Sequence, residues 1–144
     1  DDLDAAQSVS DENRATLARL QAGREWVWIE GNHDPGPVDL GGSHRADVQR
    51  GALTFRHIAK ASSQGVLGGE ISGHYHPKAA LRGTGRRPCF LLDKSRLIMP
   101  AFGTYTGGMS ARHAVLADLM SADAIAILTG KHALPVPLAA CTMC

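Results

Sequence analysis

A chain of 144 residues with 44% hydrophobic content is long enough to bury one ordinary core, which excludes an intrinsically disordered segment. Fifteen Lys and Arg against fourteen Asp and Glu leave a formal charge of +1, so no global field drives the chain onto nucleic acid or an anionic membrane, and any polyanion contact must be local. Cys89, Cys141 and Cys144 form an odd set without framework spacing, which argues against a disulfide-stapled secreted fold, and no stretch approaches the length of a transmembrane helix.

The chain opens on "DDLDAAQSVSDENR", with no Met and already in mid-pattern, and is expected to be a fragment of a soluble, cytoplasmic protein. Ser10 is placed to cap a helix, with Asp11 and Glu12 in its first turn, Ala15, Leu17 and Leu20 as a buried stripe, and Gly23 at its end. Trp26 to Glu30 reads as a strand, and Pro35 to Arg50 as a long surface loop. Short strands follow at Leu53 to His57 and from Glu70 to Ser72. Two more, Ala79 to Arg82 and Cys89 to Leu92, are joined by a glycine-arginine tip, and Arg96 to Met99 follows a turn at Asp93 to Ser95. His113 to Met120 is a second helix, and Ala124 to Leu128 with His132 to Val136 a closing hairpin around Gly130. The tip "LRGTGRRP", with Arg82, Arg86 and Arg87, reads first as a solvated hairpin end and second as a contact for a phosphate backbone. "CTMC" at the end of the chain reads as a frayed, reduced tail rather than a redox or zinc pair. The pattern is an α/β start and a β-rich remainder in one domain, or part of one.

Three segments bring imidazoles to strand ends: "GNHD" at Gly31 to Asp34, "FRHIA" with His57, and "SGHYHP" with His74 and His76. Each alone is ambiguous, since a Gly-Asn pair is commonly only a turn and a lone His is commonly a packing residue. From background usage, however, "GNHD" arises by chance in roughly one chain of this length per thousand and "GHxH" in roughly one per few hundred, so both in order is a signal. Imidazole nitrogen together with amide or carboxylate oxygen suits two divalent cations about 3.5–4 Å apart, a spacing that clamps one phosphoryl group and activates one water. Asn32 supplies a neutral oxygen. His74 and His76 are expected to project from one side of an extended segment, with Pro77 favouring extended backbone at His76. His33, with Asp34 to favour its protonated form, fits a general acid for a leaving alkoxide. His44, His113 and His132 lack motif context and read as surface or packing residues. Tyr75 is expected to point away from the site, and "FGTYTGG" at Phe102 to Gly108 reads as a strand exit rather than a phosphate cradle.

These motifs resemble those of the calcineurin-like metallophosphoesterase superfamily: G-N-H-[DE], a lone His, and G-H-x-H. More narrowly, "GNHDPGP", "GGEISGHYHPKA" and "RLIMPAFGTYTGG" resemble the ligase-associated DNA damage response endonuclease group, over about Leu17 to Gly108. The resemblance implies an α/β fold, the C-terminal part of a four-layer αββα sandwich, so that residues 1–144 are one metallophosphoesterase domain lacking its first strand and its Asp-x-His and Gly-Asp motifs. It implies that Asn32, His57 and His74 bind one metal, that His76 binds the other, and that His33 with Asp34 forms the acid pair. It further implies phosphodiester or phosphomonoester hydrolysis with two divalent ions, commonly Mn²⁺ with Fe or Zn²⁺ as alternatives, and, from the narrower group, a nucleic-acid substrate and association with a DNA ligase and a helicase. The competing expectations are a non-catalytic remnant with weak metal binding, and a protein or nucleotide phosphatase.

Overall fold

The computed structural model describes residues 9–33, 36, 39–61, 68–103 and 106–143, and the chain divides into two units, Asp1–Val48 and Gln49–Cys144. The fold is mixed α/β.

In the Asp1–Val48 unit the capping signal works as expected. Ser10 takes an extended backbone and its Oγ accepts a hydrogen bond from the Asn13 N–H at 3.3 Å, starting α1 (Asp11–Gln21). The buried stripe does not form: no residue of α1 is buried, and Leu20 is 49% exposed. Two leucines and two alanines over three turns are fewer and smaller than a core-facing stripe needs. Polar side chains fasten the helix instead, Arg14 Nη1 donating to the Asp39 carbonyl at 3.0 Å and Gln21 Nε2 to that of Leu40 at 2.7 Å. β1 (Val27–Ile29) falls where the strand was expected, but the expected long loop contains its parallel partner, β2 (Ser43–Arg45). Ser-His-Arg has no strand signal of its own, and its pairing is set by what precedes it. Gly42 lies at φ 82° with a Cβ position 2.9 Å from the Trp26 carbonyl, so only glycine lets the chain pass that close. The indole of Trp28 donates to the Gly41 carbonyl at 2.7 Å and stacks on His44 with ring centres 6.4 Å apart, which gives His44 a packing role.

The second unit is organised by a sheet of β3 (Asp47–Arg50), β4 (Leu53–Arg56), β5 (Gly69–Ser72), β6 (Lys78–Ala79), β7 (Arg87–Leu92), β8 (Arg96–Ile98), β9 (Ile125–Leu128) and β10 (Leu134–Pro137). The spatial order is β10-β9-β7-β8-β5-β4-β3, with β6 pairing β7. β4, β5 and β8 run parallel, and the ladder from β8 through β7 and β9 to β10 is antiparallel. α2 (Ala114–Leu119) starts at His113, whose Nδ1 accepts from the Val115 N–H at 3.3 Å. Leu91 on β7, Ile98 on β8, Leu116 on α2 and Leu128 on β9 are fully buried, each contributing about 1.5–3 kcal/mol to folding.

Two charges lie inside this core. Glu70 on β5 and Arg96 on β8 are almost wholly buried and paired at 2.8 Å, with Arg56, the last residue of β4, 3.6 Å from the other carboxylate oxygen. Arg96 also donates to the carbonyls of Leu119 and Lys60, and Glu70 accepts from the Lys60 N–H at 3.2 Å. Two ion pairs sharing Glu70 thus tie three parallel strands to one another, and Arg96 ties them to the end of α2. The chain terminus is not frayed at Cys141 and Thr142: a 3-10 turn (Leu138–Ala140) delivers Cys141 into the core, and Thr142 bonds the Ala80 carbonyl through its N–H and its hydroxyl. Cys144 lies outside the described residues.

Candidate metal centre

Because β4, β5 and β8 are parallel, their carboxyl ends share one edge of the sheet, where α/β folds place their ligands. His57 follows β4 directly, and His74 stands two residues beyond β5. The Gly73 N–H bonds the His57 carbonyl at 3.0 Å, which locks the two strand exits together. Both imidazoles are half-buried. His74 Nδ1 lies 3.1 Å from His57 Nε2, with ring centres 5.0 Å apart and planes at 71°. Two nitrogen donors each about 2.1 Å from one ion and subtending roughly 90–109° stand about 3.0–3.4 Å apart. The contact is an N–H···N hydrogen bond between the two rings, and its length is also the separation of two ligands on a single cation.

The segment that carries His74 is not extended, contrary to expectation. His74 has φ 66° and His76 φ 47°, left-handed values that cost an L-residue roughly 1–2 kcal/mol each. The bias of Pro77 toward extended backbone at His76 is overridden by the neighbouring chain. The Met109 N–H bonds the Tyr75 carbonyl at 3.0 Å, the Lys78 N–H bonds that of Met109 at 2.8 Å, and Gly108 passes so close that a Cβ there would stand 2.4 Å from the His76 carbonyl. Alternation along a strand therefore does not place His76; it is half-buried within the same bend. Strained backbone of this kind gathers at functional sites, where surrounding structure over-determines it. Tyr75 packs against the core, but its ring also stands 5.0 Å from that of His74, edge to face, since the alternation expected to turn it away does not hold in this bend.

Sequence reasoning passed over Ser72, which ends β5 and adjoins Gly73. It is fully buried, and its Oγ has no hydrogen-bond partner among the described residues. Nothing in the strand sequence Gly-Glu-Ile-Ser sets it apart. Asn32 and His33 belong to the Asp1–Val48 unit, in an exposed bend that follows β1. Asp34 lies outside the described residues. Among the described residues, no set of three His, Cys, Asp or Glu side chains converges to hold an ion, so the His57–His74 pair by itself does not make a metal site.

No protein-family model matches the chain, and no curated protein matches it. Among solved structures, the crystal structure of the nuclease MPE from Pseudomonas putida matches 91% of this chain with a TM-score of 0.67 and 26% sequence identity. The chain spans 64% of the length of that protein's chain. No helix among the described residues is long and apolar enough to cross a membrane. The mixed sheet with few helices, and its match to that structure, are those of part of a metallophosphoesterase-like nuclease fold.

Proposed function

We propose that the chain is part of a metal-dependent phosphoesterase that hydrolyses phosphodiester bonds in nucleic acid. The observation that carries the reading is the His57–His74 pair at the ends of two parallel strands, in a chain that shares its fold with a nuclease. His57 and His74, with Asn32 by resemblance, would hold one divalent ion and His76 a second; Mn²⁺, Fe and Zn²⁺ all suit these donors. Such ions supply Lewis-acid polarisation of the phosphoryl group and a water activated at neutral pH. The chain's own contributions are the positioning of the phosphate against the strand ends and a proton from His33, oriented by Asp34, to the leaving oxygen. Association with a ligase and a helicase belongs to the same proposal.

The test is hydrolysis of a bis-aryl phosphodiester with and without added Mn²⁺, by this chain and by a version extended upstream. His57→Ala and His74→Ala are each expected to lower metal-dependent hydrolysis by roughly 10²-fold or more, in line with the loss of a metal ligand or its orienting partner. Hydrolysis that survives His74→Ala, or that persists in EDTA, would sink the metal-centre reading. Removing His33 should hurt an alkyl leaving group far more than an aryl one, and equal losses would remove its role as acid. The convergence of only two such donors among the described residues favours one second reading, a weak metal-binding remnant without catalysis. Full activity of the unextended chain would exclude it.

A further inference from the structure

The formal charge of +1 conceals a partition. The Gln49–Cys144 unit carries eleven Lys and Arg against four Asp and Glu, a formal +7, while Asp1–Val48 carries four against ten, a formal −6. The positive excess is concentrated further, since between Ile71 and Ala117 stand seven Lys and Arg and a single acid, Asp93. Arg96 is neutralised by Glu70 in the core. Four others, Lys78, Arg82, Arg86 and Arg87, lie along the β6–β7 hairpin, and among the described residues no carboxylate pairs with any of them. Arg82 and Arg86 are exposed at the tip.

This hairpin grows directly out of the strained histidine bend: Lys78 is two residues beyond His76. It is also tied to the segment that follows β8. Lys78 Nζ donates to the Thr106 carbonyl at 3.0 Å, Arg86 Nη2 to that of Gly108 at 3.3 Å, and Thr106 Oγ1 to that of Gly103 at 3.1 Å. Beside Gly103 is Phe102, a fully exposed aromatic ring beyond the carboxyl end of β8, on the edge that carries His57 and His74. Cations without a carboxylate on one hairpin repel each other, and an exposed phenyl ring gains nothing from water. A polyanion with flat apolar rings satisfies both.

We propose that the β6–β7 hairpin and Phe102 hold a nucleic-acid strand against the histidine edge, with Lys78, Arg82, Arg86 and Arg87 on backbone phosphates and the Phe102 ring stacked on a base. This deepens the nuclease reading of the same site and rests on it only for the identity of the polyanion. Six residues at about 3.3 Å each carry the tip no more than about 20 Å from His76, the length of about six phosphate steps at about 3.4 Å along one strand of a duplex.

The test is binding of a fluorescein-labelled single-stranded oligodeoxynucleotide by the full chain, followed by anisotropy in EDTA between about 50 and 200 mM salt. Arg82→Gln with Arg86→Gln is expected to weaken binding and to reduce the slope of log K against log salt by roughly 1.4, at about 0.7 for each phosphate no longer neutralised. Phe102→Ala is expected to weaken binding roughly five- to a hundredfold while leaving the slope unchanged, because stacking releases no counterions. Arg82→Lys with Arg86→Lys should keep the slope, and Arg19→Gln with Arg24→Gln, in the other unit, should change neither quantity. A slope unmoved by the Arg82/Arg86 glutamine variant, an equal response in the Arg19/Arg24 control, or no binding by the parent chain overturns the proposal. Oligonucleotide binding that follows these expectations in a chain inert toward a bis-aryl phosphodiester would remove the hydrolase reading and leave this surface standing. Diester hydrolysis with binding indifferent to Arg82, Arg86 and Phe102 would do the reverse.

Discussion

At His76 a left-handed backbone is imposed on a residue with a Cβ, and the chain carries that cost where glycine would relieve it. Two substitutions separate the backbone from the side chain. His76→Gly is expected to be about 1 kcal/mol more stable than His76→Ala in urea unfolding, since both lose the imidazole but only glycine accepts φ 47° freely. Both should lose activity alike. Equal stabilities would mean that the bend relaxes once the ring is gone. Gly108 is the opposite case, a position where even a methyl group has no room. Gly108→Ala sets a Cβ against the His76 carbonyl and is expected to cost more than about 1 kcal/mol and to lower hydrolysis with it, because the bend must move.

The strands that lead to the two histidines are fastened by Arg56 and Glu70, and Glu70 is paired in turn with Arg96. A buried pair is a poor source of net stability, but removing one member leaves the other charged in the core. Glu70→Ala, which leaves Arg96 in the core without its carboxylate, is expected to cost about 3–5 kcal/mol in urea unfolding, whereas joint replacement of Glu70 and Arg96 by Met should cost much less. Similar losses for both would show that the network contributes through packing rather than charge. Much at this scale was legible in advance. Helix α2 lies between the expected limits His113 and Met120, which turn out to be its caps, and β4, β5, β7, β8 and β9 fall within a few residues of their alternating or β-branched runs. Those signals are local, and local chemistry decided them. What escaped was decided elsewhere in the chain. Ser43–Arg45 is a strand because Trp26 and Trp28 hold it, and the His74–His76 bend is left-handed because Met109 and Gly108 hold it. The approach of His57 to His74 could be argued from strand ends and motif resemblance, but the bend that presents His74 could not.

For the whole molecule, net charge near zero is misleading when a unit of +7 and a unit of −6 share one chain. Copies of such a chain attract one another at low ionic strength, positive unit to negative unit. Light scattering is expected to show association in dilute buffer that disperses as the Debye length falls to about 8 Å near 0.15 M salt. Association that grows with salt would point to apolar contacts instead.

The shared edge of β4, β5 and β8 also has a history in time. Phe55 lies opposite Ile71 and Ile71 opposite Leu97, parallel pairings between segments distant in sequence, for which loop closure must precede any gain. During refolding the imidazoles therefore gather only once these slow pairings are made, and on the metal-centre proposal uptake of a divalent ion should lag behind the early rise of sheet signal. A chain interrupted at that moment has hydrophobic strands but not yet its paired histidines, so the yield of the assembled edge is set by how quickly distant segments find each other.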